Sequence, residues 1–449
     1  MNNLESKIGQ KIGLNKNADV RKRIEIVQDK KLILYYLSSL VSSELMVWLI
    51  NSLKQVDFSQ GINFLAVPII EKQKDISKIV ESIFNGNVAL ILPNEEVIIC
   101  DVKKYPTRGI SYPEVEKSVR GSKDSFTENL ADNIALIRRR IKSERLMVNA
   151  YTISTKSKMA VQLLYLDDLV DKKTMKLIDE RIKQIDVESL IMSDRALEEA
   201  MFKQRYHIFP LVRYTERPDV AAINLIRGKV IILVDTSCNA LILPVSIFDH
   251  FKNVEEYKQN PLIGSFTKSL RLLGSLISVF LVPLFILFTI EDGFDNGIIP
   301  LYKLELTNPL LIEISIVTLV LEIIRIAVVH TPNAFTTALS LLAAIVLGEI
   351  SLSLGLFSGE ILLVASLAII CNFATPSYEL SLANRFISLI LILSTCIFKV
   401  KGFLICFLLL FIYMVSIKIL NVPYLYPICP FDFDMFKNLF IRRDSKKKM

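Results

Sequence analysis

Four charged residues interrupt stretches that are otherwise apolar, and they are the first candidates for chemistry: Glu313, Glu322, Arg325 and Glu349. A charged side chain is costly inside a bilayer, so charges in such stretches suggest an ion pathway unless another group neutralises them. Glu322 and Arg325 are three residues apart, a spacing that lets them pair on one helix. Glu313 lies nine residues before Glu322, on roughly the opposite side of a helix, so it faces another direction.

Glu349 has no basic neighbour within its apolar stretch. We therefore expect it to be the best single candidate for a pore or cation site. Two other interpretations stay open for Glu349, namely burial as a protonated acid or a contact with a partner helix. Glu322 and Arg325 have the alternative of a neutralised pair that only holds helices together.

Motifs of catalytic sites are absent from the sequence. We find no G-x-x-x-x-G-K-[ST], no G-x-S-x-G and no H-E-x-x-H. The six cysteines and three histidines are scattered and include no C-x-x-C pair, which argues against a metal or iron–sulfur site. The net charge of +7 is modest, and no long basic face alternates with aromatic residues, so no nucleic-acid partner is expected. We expect a protein that is not an enzyme and holds no cofactor.

Charge is distributed unevenly along the 449 residues. Residues 272–420 contain 15 of the 99 Asp, Glu, Lys and Arg side chains, and the rest of the chain has the composition of a soluble protein. Residues 272–290 carry no charge over 19 positions, which is about the length that crosses a bilayer. The other apolar stretches are residues 310–329, 334–357, 361–373, 386–398 and 402–417.

The basic residues predict the orientation of the spans. Lys268 and Arg271 precede the first span and acidic residues follow it, so this span runs outward from the cytoplasmic side. The polar N-terminus, which lacks the apolar core of a signal peptide, agrees with this orientation. The basic tail places the C-terminus on the same side, which requires four or six spans. With six, Lys399 and Lys401 fall in an outside loop against the rule, a conflict that a shallow hairpin there removes.

Helical and strand-like periodicities alternate before the first span, and they predict a helix at residues 76–84, a turn at Asn85-Gly86 and a β-hairpin of residues 88–92 and 97–102. They predict a mixed α/β (or α+β) soluble region of two small lobes, followed by an all-α transmembrane helix bundle. The predicted boundaries are residues 1–110 and 111–268 for the lobes, 269–420 for the bundle of four to six spans, and 421–449 for a cytoplasmic tail.

Two local features of the second lobe are predicted in more detail. Residues 125–147 have continuous helical spacing, and the three arginines within them, Arg138, Arg139 and Arg140, point in three directions, so they cannot all be buried. Asp219 follows a charged segment and precedes a helical stretch, so it is predicted to be an N-cap.

Several segments occur in an order that points to one protein family. They are residues 113–121 with 129–141 (NLADNIALIRRRI), residues 214–219 (YTERPD) with 228–235, residues 261–283, and residues 423–431 (PYLYPICPF) with 441–443. Together they resemble the GerA family of spore germination proteins, of the A-subunit type, over nearly the whole chain. The sequence departs from the family at residues 122–125 (SKDS), where the family usually has a Pro-Arg-Asp-Gly-like turn, and at Cys238, where it usually has proline.

The resemblance singles out motif residues as candidates for contacts with partners: Arg120, Gly121, Arg138, Arg139, Arg140, Arg217, Pro218 and Asp235. For Arg120 and Gly121 the alternative is an ordinary solvated turn. For the charged segment 213–219, an N-cap role of Asp219 is a sufficient alternative explanation.

The resemblance implies a protein of the spore inner membrane whose copies form a ring around a cation pathway. Residues 211–222, 234–237, 326–332 and 375–384 indicate a branch of the family. The resemblance to this branch implies that the protein lacks a dedicated set of nutrient-binding partners and amplifies ion release with a small membrane partner. Two alternatives stay open, namely an A-type receptor subunit that senses or signals nutrients without conducting, and a scaffold that assembles other germination proteins.

Overall fold

A computed structural model of the chain describes residues 3–55, 67–104, 113, 116, 118, 121–189, 193–202, 207–290, 308–330 and 333–441. The chain divides into two compact units, one of residues 1–205 and 212–245, the other of residues 206–211 and 246–448. The first is rich in antiparallel sheet, and the second consists mainly of apolar helices.

A five-stranded antiparallel sheet forms the first part of the first unit, in the order β1-β2-β4-β5-β3. Successive side chains of a strand point to opposite faces, so Leu34 packs with Leu49 of the helix α2, whereas Ile33 packs with Ile79 of the helix α3. The elements are α1 (Asn3–Lys11), β1 (Val20–Val27), β2 (Lys30–Leu37), α2 (Ser43–Gln55), β3 (Ile69–Gln73), α3 (Ile76–Phe84), β4 (Val88–Ile91) and β5 (Val97–Cys100). The predicted helix at 76–84 and the hairpin after it are confirmed.

A second five-stranded antiparallel sheet follows, in the order β6-β7-β9-β10-β8. Its central strand β9 and its neighbour β10 are buried along their whole length, as expected for strands covered on both faces. The elements are α4 (Leu130–Arg138), β6 (Leu146–Ile153), β7 (Met159–Leu166), α5 (Lys172–Lys183), α6 (Ser193–Phe202), β8 (Arg213–Thr215), α7 (Pro218–Ile226), β9 (Val230–Val234) and β10 (Ala240–Leu243).

The predicted helix at residues 125–147 is wrong in length, because helix α4 covers only its middle. Asn129 caps α4 by accepting a hydrogen bond from the N–H of Ala131, and the side chain of Asn133 accepts one from the N–H of Thr127 at 2.7 Å. These bonds hold the preceding residues in a non-helical turn. The last predicted residues belong instead to strand β6, whose side chains alternate between buried and more exposed.

A fully buried ion pair joins the two sheet regions within the first unit. Nε of Arg138 lies 3.2 Å from Oδ2 of Asp19, and Asp19 also accepts hydrogen bonds from Ser38 and Ser39. Burial lowers the pKa of Arg138, and the carboxylate of Asp19 opposes that shift. Because Asp19 precedes β1 and Arg138 ends α4, the pair ties two parts of the chain together. The division into two lobes stays a prediction.

The second unit contains the helices that are long and apolar enough to cross a membrane. By length and composition, three helical stretches of the described residues qualify: Pro261–Phe288, Phe335–Ser353 and Tyr378–Ser416. The elements are a 3-10 turn (Ile247–Phe251), α8 (Val254–Lys258), α9 (Pro261–Ile290), α10 (Asn308–His330), α11 (Asn333–Ala344) with a π-helical continuation (Ile345–Ile350) and a last turn (Ser351–Ser353), α12 (Gly359–Asn372), α13 (Tyr378–Ser416), β11 (Lys418–Ile419), β12 (Val422–Pro423) and α14 (Phe433–Phe440).

Helix α13 reverses direction at Lys399, whose φ of 53° and ψ of −138° are not helical. The next residues complete the turn, because a Cβ on Gly402 would collide with the carbonyl oxygen of Ser394 and lie 2.7 Å from the Cβ of Phe398. The predicted apolar stretches 386–398 and 402–417 are therefore the two arms of a helical hairpin, and Lys399 and Lys401 lie at its tip.

We expect Arg138→Ala to lower the free energy of unfolding by about 3–5 kcal/mol, because it leaves the carboxylate of Asp19 buried without its cation. The matched control is Arg139→Ala on the exposed side of the same helix end, expected to change stability by less than about 0.5 kcal/mol. Urea-dependent proteolysis of the full-length protein in detergent measures both. A loss for Arg138→Ala no larger than that of the control would contradict the role of the pair.

Candidate functional site

Three charged side chains meet between helices α10 and α13. Arg325 donates from Nε to Oε1 of Glu322 at 3.0 Å, and Arg385 donates from its Nε to Oε2 of Glu322 at 3.0 Å. No side chain of the three is more than 13% exposed. The expected pairing of Glu322 with Arg325 is therefore present, within a larger cluster that we name the charged triad.

The charged triad carries one carboxylate and two guanidinium groups, so it bears a net positive charge. Glu322 lies between the two arginines and compensates both, which lets them come close together away from water. Because Arg385 belongs to α13 and the other two residues to α10, the triad also links the two helices. Its members are engaged with one another, so their role in an ion pathway stays a prediction.

Arg385 was not among the predicted site residues. It directly precedes the apolar stretch 386–398, so from sequence it reads as a charge that flanks a span. Helix α13 begins seven residues earlier, at Tyr378, and this places Arg385 two turns inside it. The available signal was the N-cap at Ser377, whose side chain accepts a hydrogen bond from the N–H of Leu380.

Small polar side chains join α9, α12 and α13 at a second level. Asn384 donates to the hydroxyl of Ser275 at 2.7 Å, and Asn372 donates to the hydroxyl of Ser381 at 2.8 Å. Ser278 donates to the carbonyl of Ser275 at 2.7 Å. All five side chains are buried, so these bonds satisfy polar groups that water does not reach.

Glu313 holds the start of helix α12. Its Oε1 accepts hydrogen bonds from both the backbone N–H and the hydroxyl of Ser358, the N-cap residue of that helix. A carboxylate at a helix N-terminus is favourable because free N–H groups and the helix dipole point toward it. This contact fixes α12 against α10 and gives Glu313 a structural use.

Glu349 has a different environment from the other carboxylates. It lies in the π-helical continuation of α11, and its side chain is exposed. Only 6% of the most apolar part of the stretch Phe335–Ser353 is buried within the chain. A π-helical segment interrupts the regular backbone pattern and is frequent at functional sites. A single chain leaves most of this long apolar helix, and its carboxylate, uncovered. Lipid or another protein surface must therefore cover the apolar side chains.

Arg217 of the YTERPD segment is a buried hub in the first unit. It is 1% exposed. It donates from Nη2 to Oδ2 of Asp219 at 2.7 Å, from Nη1 to the hydroxyl of Ser118 at 2.8 Å, and from Nη2 to the carbonyl of Ser122 at 2.8 Å. Asp219 is therefore not the N-cap that the sequence predicted. Arg217 occupies that position and Pro218 is the first helical residue, because Asp219 turns back to bind the guanidinium.

The remaining predicted residues are dispersed. Arg138 is fully buried, Arg139 is exposed and Arg140 is half-buried beside Asp124, so the expectation that they cannot all be buried is confirmed. Gly121 has a φ of 96°, Asp235 is half-buried and directly follows strand β9, and Arg120 lies outside the described residues. Among the residues that the structure describes, no group of three or more His, Cys, Asp and Glu could hold a metal ion.

We expect Glu322→Gln to destabilise the protein far more than Arg385→Gln. The first change leaves two buried cations facing each other, a loss of about 3–5 kcal/mol, whereas the second leaves a neutral pair and costs about 1 kcal/mol. The thermal midpoint of the full-length protein in detergent, followed by size-exclusion chromatography, measures this. Glu360→Gln, at an exposed carboxylate in the first turn of α12, is the control. Equal shifts for the two triad variants would contradict a shared carboxylate.

Comparison with known proteins gives matches along nearly the whole chain. The family model described as Bacillus/Clostridium GerA spore germination protein matches residues 6–449. Stage V sporulation protein AF of Bacillus subtilis is 39% identical over 437 residues, which cover 94% of this chain and 88% of that protein. Spore germination protein KA of the same organism is 28% identical over 382 residues, covering 83% and 70%. Spore germination protein XA of Bacillus anthracis is 28% identical over 392 residues, covering 85% and 79%.

Among solved structures, the N-terminal domain of the A subunit of the Bacillus megaterium spore germinant receptor GerK3 matches 53% of this chain and 92% of its own length, with 23% identity and a TM-score of 0.40. The family match and the 39% identity confirm the resemblance inferred from the motifs. The chain belongs to the GerA family of spore germination proteins.

Proposed function

We propose that this protein is a non-enzymatic membrane protein of the spore that forms a homo-oligomeric cation pathway in the inner membrane and acts in ion release during germination. Both termini lie on the cytoplasmic (core) side in this proposal, in accord with the basic flanks at Lys268, Arg271 and the C-terminal tail. A small membrane partner, or other germination proteins, complete the proposed assembly.

The observation that carries the proposal is the exposure of Glu349 on an apolar helix. A carboxylate within a bilayer-spanning helix is costly when it faces lipid, by about 2.5–3.5 kcal/mol or more at the helix centre and less toward its ends. The helical stretch Phe335–Ser353 is apolar yet only 6% of its apolar window is buried in a single chain. Placing this helix at the contact between copies removes Glu349 from lipid and turns its carboxylate toward a shared, hydrated axis.

Glu313 and Glu322 are poorer candidates for the cation pathway than Glu349, because other groups of the protein already bind their carboxylates. Glu322 is compensated by two arginines, and Glu313 caps a helix, so neither presents a free carboxylate to a passing cation. Ser351 and Ser353 follow Glu349, but their hydroxyls bond to backbone carbonyls of their own helix. The proposed pathway therefore depends chiefly on Glu349.

The principal alternative is an A-type subunit of a nutrient receptor that signals without conducting. The similarity to other spore germination proteins is equally consistent with it; these include Spore germination protein KA and Spore germination protein A1 of Bacillus subtilis, the second 27% identical over 380 residues. A scaffold for other germination proteins is the second alternative. Neither requires a carboxylate on the helix that the single chain leaves uncovered.

We expect Glu349→Gln to lower cation flux about tenfold or more, because the amide keeps the shape of the side chain and removes the charge that attracts cations. The purified protein is inserted into liposomes, and the entry of cations is followed with a fluorescent indicator inside them. Glu313→Gln is the comparison, since that carboxylate is already engaged by Ser358. Unchanged flux per inserted protein in Glu349→Gln would remove Glu349 from the pathway.

Cation release from spores that lack the protein distinguishes a role in ion conduction from a role in nutrient sensing. The proposed role predicts slower cation release after every nutrient tested, followed by eventual germination. Loss of the response to one nutrient alone would indicate a receptor subunit. Normal release together with mislocalised partner proteins would indicate a scaffold.

A further inference from the structure

The charged triad has one more positive than negative charge. Glu322 supplies a single carboxylate to two guanidinium groups, and the side chains of Arg325 and Arg385 are only 7% and 5% exposed. Among the described residues, the charges close enough to act on Arg385 are those of Glu322 and Arg325. A charge that is removed from water without a counter-ion is strongly unfavourable. The triad therefore needs a further anion.

Unused hydrogen-bond donors accompany the unmatched charge. A guanidinium group carries five N–H donors. Arg385 donates from Nε to Glu322, and within the part of the chain that the structure describes its terminal nitrogens, Nη1 and Nη2, have no hydrogen-bond partner. Arg325 uses Nε and Nη2 on the other oxygen of Glu322, which leaves its Nη1 in the same condition among the described residues.

The geometry of these donors selects a class of ligand. The two terminal nitrogens of a guanidinium group lie side by side in one plane, and this spacing matches two oxygens of a carboxylate or a phosphate. Because Glu322 already holds Arg385 through Nε, the end of that guanidinium stays available for such a bidentate contact. A long arginine often extends its charged end into water, but the 5% exposure of Arg385 shows that its guanidinium has not done so.

The triad lies near one end of the helices that carry it. Asn384, the neighbour of Arg385, donates to Ser275, which is only four residues beyond Arg271 at the start of the charge-free segment 272–290. Helix α10 ends at His330, five residues after Arg325, which is about 8 Å along the axis. The headgroup region borders the hydrocarbon core at the ends of a span, so lipid phosphates and dissolved anions approach to within one or two helical turns.

We propose that Arg385 and Arg325 bind an oxyanion, through a phosphate or a carboxylate group, with Glu322 holding the two guanidinium groups in place. A singly charged oxyanion makes the site neutral and satisfies the terminal nitrogens of Arg385. The same chemistry is offered by the headgroup of an anionic lipid and by a dissolved anion. The proposal is independent of cation conduction, because it requires neither Glu349 nor ion flux.

Binding of radiolabelled inorganic phosphate to the purified full-length protein in detergent tests the proposal. We expect about one phosphate per chain, and an affinity about tenfold or more lower in Arg385→Gln, because an amide has neither the charge nor the paired terminal N–H groups. Lys401→Gln, at an exposed cation in the hairpin tip of the same helix, is the matched control and should leave the affinity unchanged.

A second variant covers the case in which Arg385→Gln does not elute as a folded protein in size-exclusion chromatography. Arg385→Lys keeps the positive charge and loses the paired N–H groups, so it should also weaken phosphate binding. Native mass spectrometry of the wild-type protein with phosphatidic acid or phosphatidylcholine identifies the source of the oxyanion. Retention of phosphatidic acid alone supports a headgroup, and binding of inorganic phosphate without retained lipid supports a dissolved anion.

Two results would overturn the proposal. One is a wild-type protein that binds neither inorganic phosphate nor phosphatidic acid, as expected if a carboxylate of a second copy neutralises the triad. The other is binding that Arg385→Gln and Arg385→Lys leave unchanged, which would place the anion elsewhere. Neither result bears on the proposed cation pathway, since no flux is measured.

Discussion

A charged group that has left water must be matched by an opposite charge or by hydrogen-bond donors, and this constraint organises both units of the protein. In the first unit it joins Asp19 to Arg138 across two sheet regions. In the second it gathers Glu322, Arg325 and Arg385 between two helices. Each cluster joins segments that are far apart in sequence. Its ion pairs have a defined geometry, so they fix the relative position of these segments more closely than apolar packing does.

The same constraint distinguishes Glu349 from the other intramembrane acids. The carboxylates of Glu313 and Glu322 find their donors within the chain, and their helices pack against neighbours. Glu349 lies on a helix whose apolar side chains are left largely uncovered. An assembly of several copies satisfies both the apolar surface and the carboxylate, whereas lipid satisfies only the first.

Local order was predictable from the sequence where one signal dominated. The cap at Asp75 and the turn at Gly86 bracket helix α3, and the prediction of its bounds is confirmed. The helix predicted at 125–147 is wrong in length. Hydrogen bonds accepted by the side chains of Asn129 and Asn133 delay its start, and periodicity does not reveal such bonds. Strand β1 was missed since its charged residues obscure its alternation.

The spacing of residues in the sequence could not predict contacts between side chains that are far apart along the chain. The pair Glu322–Arg325 could be anticipated because its members are one helical turn apart, but Arg385 is 63 residues away from Glu322. Arg217 resembled a residue of a charged surface segment, and it is almost completely buried because the loop at Ser118 and Ser122 folds over it. A guanidinium with several donors can bind such a loop without sequence periodicity to reveal it.

The hairpin in α13 bears on the number of times the chain crosses the bilayer. Asn384 donates a hydrogen bond to Ser275, and Phe407 packs edge-to-face against Phe280 with ring centroids 5.8 Å apart. Residues 384 and 407 would be about 34 Å apart in a straight helix, whereas residues 275 and 280 are separated by only about 8 Å. The second arm must therefore return alongside the first.

Each arm of α13 is long enough to cross the hydrocarbon core or nearly so, at about 1.5 Å per residue. Counting one pass for each arm of α13 and one each for α9, α10, α11 and α12 corresponds to the six-span prediction; the number of spans and the side of the termini stay predictions. Lys399 stands against the positive-inside rule in this arrangement. It lies at the C-terminal end of the first arm, where unpaired carbonyl groups and the helix dipole favour a cation.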